Sequence, residues 1–125
     1  KNEFTQIILE HGFEIHTMTG KSLFEQIQLM QSTKKLITIN GAGMANFIFL
    51  NKDSTVLELT YSIFLKSKRY KFHFKKILDI VDAKYLVQLC NPQPDLNIPE
   101  PGLCNIIVDL KILKKNLDII KPINN

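Results

Sequence analysis

The sequence contains no tryptophan, only two cysteines and no apolar run that approaches the length of a membrane-spanning helix. Such a helix needs about 20 consecutive apolar residues. The opening residues KNEFTQIILEHGF lack the basic and apolar regions of a secretory signal, and the first residue is Lys1 rather than Met. We therefore expect a globular fragment or processed product. Its expected location is the cytoplasm, with association with a membrane as the alternative.

The cysteines and histidines do not have the spacing of a metal site. Cys90 and Cys104 flank a proline-rich segment and form no CxxC pair. They are therefore expected to be reduced thiols, although pairing in an oxidising compartment stays open. His11, His16 and His73 are scattered along the chain, so we interpret them as surface or packing residues and predict no metal site.

The net charge of +4 is concentrated in a basic stretch, Lys66 to Lys76, with the sequence KSKRYKFHFKK. The stretch leads into helical apolar spacing at Phe74, Ile77, Leu78 and Val81. The best interpretation of the basic stretch is the solvent-exposed face of a helix. The alternative is contact with an anionic substrate or a membrane surface through Lys66, Lys68, Arg69 and Lys71. Nucleic acid is not an expected partner.

Besides the basic helix and a short helix from Ala42 to Leu50, three segments are predicted to be helices. The first ends at Gly12, as expected for a C-terminal glycine. The second, SLFEQIQLMQS, begins with a capping box formed by Ser22 and Glu25, and its predicted buried stripe is Leu23, Ile27 and Met30. The last carries apolar residues at helical spacing: Leu110, Leu113, Leu117 and Ile120.

Strands are predicted between the helices, at residues 13–16, 35–40, 55–60 and 85–90. The run at 36–39 is apolar enough to be covered on both faces, as parallel strands are. The alternation of strands and helices indicates βαβ units. A chain of this length fits one domain. We therefore predict a single α/β domain over residues 1–125, with a Rossmann-like parallel sheet and helices on both faces.

The sequence GAGMANFIFL, from Gly41 to Leu50, separates the second and third predicted strands. A glycine turn that ends a strand and opens a helix directs unpaired backbone N–H groups and the positive end of the helix dipole at one point. Gly41 and Gly43 would allow a phosphate to approach the main chain, and Asn46 offers an amide. A purely structural turn is the alternative.

A dinucleotide site is a further alternative, and the sequence disfavours it. The fingerprint GxGxxG would need a third glycine where Asn46 stands, although Glu58 lies close to the expected acidic position. The helix from Ala42 to Leu50 is also shorter than a normal crossover helix. Hydride transfer is therefore not our favoured interpretation.

The segment GAGMANFIFLNKDSTVLEL resembles the signature of glycosyltransferase family 61, in which a GAG-x-x-N-x-x-F-L core precedes a V-x-E-L strand. The matching positions are Gly41, Ala42, Gly43, Asn46, Phe49, Leu50, Val56, Glu58 and Leu59. The preceding segment and the closing IIVDLKILKKNLDII also resemble the family. One departure is Asn40, where members commonly have a histidine. Asn40 cannot carry a proton at neutral pH, which puts an acid or base role there in doubt.

The resemblance implies the C-terminal, donor-binding half of a GT-B enzyme whose N-terminal acceptor domain is absent. It implies inverting transfer of a sugar from a nucleotide donor, usually a UDP-sugar, to a glycan or other hydroxyl acceptor without a metal. The fragment alone would be inactive, and no catalytic base can be named. A non-catalytic phosphate-binding or interaction module is the alternative. The implied donor-binding residues are Asn40, Gly41, Ala42, Gly43, Met44, Ala45, Asn46 and Glu58, with Met18 and Thr19 near the nucleobase.

Overall fold

A computed structural model describes residues 3–39, 47–61, 78–92 and 106–120. Its helices are α1 (Glu3–Glu10), α2 (Leu23–Ser32) and α3 (Leu110–Ile120). Its strands are β1 (Lys35–Ile39), β2 (Thr55–Tyr61), β3 (Lys84–Pro92) and β4 (Ile106–Ile107). The structure confirms the predicted mixture of strands and helices. In the described ranges, no helix is long and apolar enough to cross a membrane.

The strands form one sheet in the order β1-β2-β3-β4. β1 pairs with β2 and β2 with β3, both in parallel, as predicted. β4 pairs in the antiparallel direction with the last two residues of β3. The sheet is therefore largely, but not entirely, parallel. Sequence reasoning missed the reversal because a two-residue strand carries almost no pattern of its own.

Helices cover both faces of the sheet, as predicted. On the α1/α3 face, Leu57 and Leu59 of β2 belong to a buried cluster with residues of α1 and α3: Ile7, Ile8, Leu113, Leu117 and Ile120. On the α2 face, Val56 of β2 is buried together with residues of α2 and of the segments next to β2 and β3: Met30, Phe47, Leu50 and Leu78. Alternate residues of β2 point to opposite faces, so this one central strand supplies both clusters.

The helix boundaries follow the signals in the sequence. α1 is followed by Gly12, whose φ of +86° is the left-handed conformation that favours glycine. The capping box at the start of α2 is confirmed: Ser22 Oγ accepts from the Glu25 N–H at 3.2 Å, and Glu25 Oε1 accepts from the Ser22 N–H at 3.0 Å. Asp109 caps α3, since its Oδ1 accepts from the N–H groups of Lys111 and Ile112.

Three local predictions are wrong. Residues 13–16 form no strand; Phe13 instead donates its N–H to Ile8 at the end of α1, and nothing in the described ranges pairs with this segment. Leu23 is 64% exposed because α2 contacts the sheet through its C-terminal end, where Met30 is buried. The third is wrong only at the end of β1: Ile37 and Leu36 pack against the clusters on opposite faces, but Ile39 is 53% exposed.

The amino edge of the sheet is closed by two turns with the same conformation. Asp53, before β2, and Asp82, before β3, both have positive φ, which Asp tolerates better than most residues. The two turns are joined, because the Asp53 N–H donates to the Asp82 carbonyl at 3.3 Å and the Lys84 N–H donates to the Ser54 carbonyl at 2.7 Å. These bonds fix the start of β2 beside the start of β3.

Candidate functional site

The predicted glycine turn, Asn40 to Asn46, lies outside the described residues, and so does the basic stretch at 66–76. The structure does define what flanks the turn. β1 ends at Ile39, at the carboxyl edge of the parallel strands, and the described chain resumes at Phe47, which is buried on the α2 face. In parallel α/β sheets, ligands bind beyond this carboxyl edge.

Glu58 lies within β2 rather than at its end, because the strand continues to Tyr61. Its neighbours across the sheet are Thr38 on β1 and Val87 on β3. Only 3% of Glu58 is exposed, so the residue is buried within the sheet. A buried carboxylate is costly unless hydrogen bonds or charges compensate for the lost water. Its surroundings on the sheet therefore decide what it can do.

Tyr85 of β3 provides such a hydrogen bond, because its hydroxyl donates to Glu58 Oε1. The pair is diagonal: Tyr85 lies opposite Val56, and Glu58 lies opposite Val87. A diagonal neighbour is within reach of a long aromatic side chain. Burial, then the hydrogen bond and negative charge of Glu58, raise the pKa of Tyr85 well above its ordinary value. Tyr85 therefore stays protonated and remains a hydrogen-bond donor at neutral pH.

Thr60 is a second polar residue on the same face, two positions beyond Glu58 along β2. It is 1% exposed, and within the described part of the chain its Oγ1 is buried without a hydrogen-bond partner. A buried hydroxyl without a partner costs about 1–3 kcal/mol. The α2 face of β2 thus carries a buried carboxylate and, nearer the carboxyl edge, a buried hydroxyl.

Residues 2–57 match the family model described as Glycosyltransferase 61. The match covers less than half of the chain. No curated protein and no solved structure matches the chain. The matched segment contains α1, α2, β1, the glycine turn and the first residues of β2, and it ends immediately before Glu58.

The match confirms the glycosyltransferase 61 resemblance and supports a transferase at the level of the family. It covers the specific part of the sequence signature as far as Leu57. Glu58 and Tyr85 lie beyond the match, so their assignment to a site depends on the geometry of the sheet. Sequence reasoning identified Glu58 from its place in the V-x-E-L strand. It did not identify Tyr85, because the alternation of residues along β3 does not show which residue of β2 the Tyr85 side chain contacts.

Two further residues of the predicted glycosyltransferase site are described. Met18 is half-buried and packs against the apolar cluster on the α2 face, which is the face that carries Glu58. Thr19 is exposed, and its N–H donates to Thr17 Oγ1 at 3.3 Å. Met18 thus packs on the same face of the sheet as Glu58. A contact of either residue with a nucleobase stays a prediction.

The described histidines and cysteine have local packing contacts. His11 Nδ1 lies 2.7 Å from the Ile7 carbonyl, and its Nε2 lies 3.6 Å from Asp118 of α3. Cys90 is a free, buried thiol on the α1/α3 face, and burial raises its pKa. Low thiolate content makes such a cysteine a poor nucleophile. Within the described ranges, no group of three or more metal-ligating side chains is found.

Proposed function

We propose that the chain is the donor-binding part of an inverting glycosyltransferase of GT-B architecture, which transfers a sugar from a UDP-sugar to a glycan or other hydroxyl acceptor. One observation carries the proposal. The segment that matches glycosyltransferase 61 passes through parallel β1 and β2 and leads directly to Glu58, a buried carboxylate on an interior strand. Buried ionisable groups with specific partners are typical of functional sites.

The glycine turn is proposed to bind the donor diphosphate. In this proposal, backbone N–H groups of Gly43, Met44 and Ala45 stabilise the negative charge that develops on the leaving diphosphate, without a metal. Gly41 has no side chain and Ala42 has only a methyl group, so in this proposal they leave the main chain accessible to the diphosphate. The support is the position of the turn directly after β1, at the edge where parallel sheets bind ligands.

Glu58 is proposed to accept hydrogen bonds from hydroxyl groups of the ribose or the donor sugar. Ionised carboxylates form strong hydrogen bonds of this kind. Met18 and Thr19 would lie beside the nucleobase. The acceptor site and the catalytic base are proposed to belong to a second domain of the enzyme, and Lys66, Lys68, Arg69 and Lys71 to a surface that contacts a membrane.

A titration of the ¹⁵N-labelled chain with UDP, followed by amide NMR, tests donor binding. GDP, CMP and NAD are the control nucleotides. We expect UDP alone to shift the amides of residues 41–46 and of Glu58, and we expect Glu58→Gln to weaken binding. Gln88→Met is the matched control, because Gln88 lies on the opposite face of the sheet, and it should bind as the wild type does. Equal shifts with all four nucleotides, or none, would contradict the proposal.

Asn40 favours a second candidate function, a non-catalytic nucleotide-binding module. A histidine commonly precedes the glycines in this family, and an amide cannot replace its proton transfer. The two functions differ in turnover rather than in binding. A full-length protein that binds UDP but transfers no sugar, and gains transfer in Asn40→His, would favour the second candidate. Transfer by the unmodified protein would favour the first.

A further inference from the structure

Tyr85 connects the apolar cluster of the α2 face to Glu58. Its ring packs against that cluster, which includes Val56 and Leu78, while its hydroxyl donates to Glu58 Oε1. Packing at one end and a hydrogen bond at the other leave the side chain little freedom. Tyrosine suits this arrangement because a buried ring with a polar tip normally finds a hydrogen-bond partner.

The contact has two physical consequences for Glu58. A hydrogen bond to one carboxylate oxygen limits rotation of the carboxylate, so the direction of its lone pairs is set by the sheet. The same bond also supplies one of the hydrogen-bond partners that a buried carboxyl group needs. Because Tyr85 keeps its proton at neutral pH, the donor is present throughout the physiological range.

We infer that Tyr85 is a positioning residue for Glu58: its hydroxyl holds the carboxylate in the orientation that accepts a ribose hydroxyl of the donor nucleotide. The inference rests on the proposed function, because it needs a nucleotide at the carboxyl edge of the sheet. It adds a residue from β3 that lies beyond the segment matched to the family. Tyr85 acts through Glu58 and is not proposed to touch the ligand.

The first test needs no ligand. NMR signals of the tyrosine ring carbons report the pH at which each tyrosine ionises. The hydrogen bond and charge of Glu58 contribute to the raised pKa of Tyr85, after burial. We therefore expect Tyr85 to ionise at lower pH in Glu58→Gln than in the wild type, while Gln88→Met leaves it unchanged. An unchanged Tyr85 signal in Glu58→Gln would show that the pair does not exist and would overturn the inference.

The second test compares the affinities of UDP and 2′,3′-dideoxy-UDP by calorimetry. Loss of a hydrogen bond to a charged group weakens binding by about tenfold. Tyr85→Phe should therefore weaken UDP binding about tenfold and leave binding of the dideoxy analogue nearly unchanged. In a Glu58→Gln background, adding Tyr85→Phe should have no further effect on UDP. Gln88→Met should retain the wild-type preference for UDP.

The outcomes separate the inference from the function on which it rests. If the wild type binds UDP but Tyr85→Phe weakens both nucleotides equally, Tyr85 is merely structural and the inference fails while the proposed function stands. If Tyr85→Phe still weakens UDP in the Glu58→Gln background, Tyr85 does not act through Glu58. If the wild type binds no UDP, the proposed function fails and the positioning role fails with it.

Discussion

The two faces of the sheet bury polar side chains in different ways. Gln88 on the α1/α3 face and Glu58 on the α2 face are 2% and 3% exposed. Gln88 bonds outward to a helix: its Nε2 donates to the Asp109 carbonyl at 3.1 Å, and its Oε1 accepts from Asn116 Nδ2 at 2.9 Å. Glu58 instead bonds to Tyr85 within the sheet. The first arrangement attaches a helix to the sheet, whereas the second joins two strands of the sheet through a buried carboxyl group.

Thr60 strengthens this contrast. On the α1/α3 face, both polar ends of Gln88 have partners. On the α2 face, Thr60 Oγ1 is buried with none in the described ranges. Unsatisfied buried groups are rare in folded proteins and call for an explanation. We therefore expect substitutions on the α1/α3 face to change stability alone, and polar substitutions on the α2 face to change nucleotide binding.

The largest expected effect is on the α1/α3 face. Leu117 of α3 is fully buried, so Leu117→Ala should lower the free energy of unfolding by about 2–5 kcal/mol through lost burial and a cavity. Ile119 of the same helix is 69% exposed, and Ile119→Ala should change the free energy of unfolding by less than about 0.5 kcal/mol. Urea unfolding measures both. Similar losses in the two variants would show that α3 does not pack through Leu117.

Gln88→Met should lower the free energy of unfolding by less than Leu117→Ala does, and it should leave the affinity for UDP unchanged. The variant removes the acceptor of Asn116 Nδ2 and one of the two donors to the Asp109 carbonyl, which keeps the Leu113 N–H. A polar group left buried without its partner costs about 1–3 kcal/mol. Urea unfolding gives the stability and calorimetry gives the affinity. A loss of UDP affinity in a stably folded Gln88→Met would contradict the division between the two faces.

The capping box of α2 should contribute about 1 kcal/mol, which Ser22→Ala would remove. Its contribution should also depend on pH. The Ser22 backbone N–H, followed by the Ser22 side chain, lowers the pKa of Glu25 in the folded chain. The stabilisation is thus present above the ordinary glutamate range and is lost as the pH falls through the lowered value. Unfolding of the wild type and of Glu25→Gln at a series of pH values checks this, and an equal acid loss in Glu25→Gln would argue against it.

The smallest expected effect on stability has the opposite sign. Thr60→Val removes a buried hydroxyl without a partner and should raise the free energy of unfolding by up to about 1 kcal/mol. Thr33→Val is the matched control and should lower it, because Thr33 Oγ1 donates to the Leu29 carbonyl at 2.6 Å. If Thr60→Val also weakens UDP binding, the hydroxyl serves the ligand. Destabilisation by Thr60→Val would mean that this hydroxyl has a partner.

Much of the fold was predictable because the signals are local. Gly12, the Ser22–Glu25 capping box and the apolar runs at 36–39 and 56–59 each specify their own element. The failures involve contacts between distant residues. Residues 13–16 have strand-like composition but pair with no strand in the described ranges, and Leu23 has helical spacing but lies on a part of α2 that the sheet does not cover.

The candidate site was predictable only in part, for the same reason. Glu58 could be identified from the strand in which it occurs. Tyr85 could not, because its contact with Glu58 depends on the register between β2 and β3, which no local pattern gives. The partners of Gln88 could not be predicted from the sequence either, because Asp109 lies at the start of α3 and Asn116 lies within it. The glycine turn is the strongest signal in the sequence, and the role of residues 41–46 stays a prediction.

The order of the strands has a consequence for synthesis on the ribosome. Each described strand pairs with the one immediately before it in the chain, so no strand must wait for a later one to be inserted between existing neighbours. β1 can receive β2, and β2 can receive β3, as each leaves the ribosomal exit tunnel. Exposed strand edges promote aggregation of incomplete chains. Sequential addition leaves one growing edge during translation, and β4 is added at that edge last.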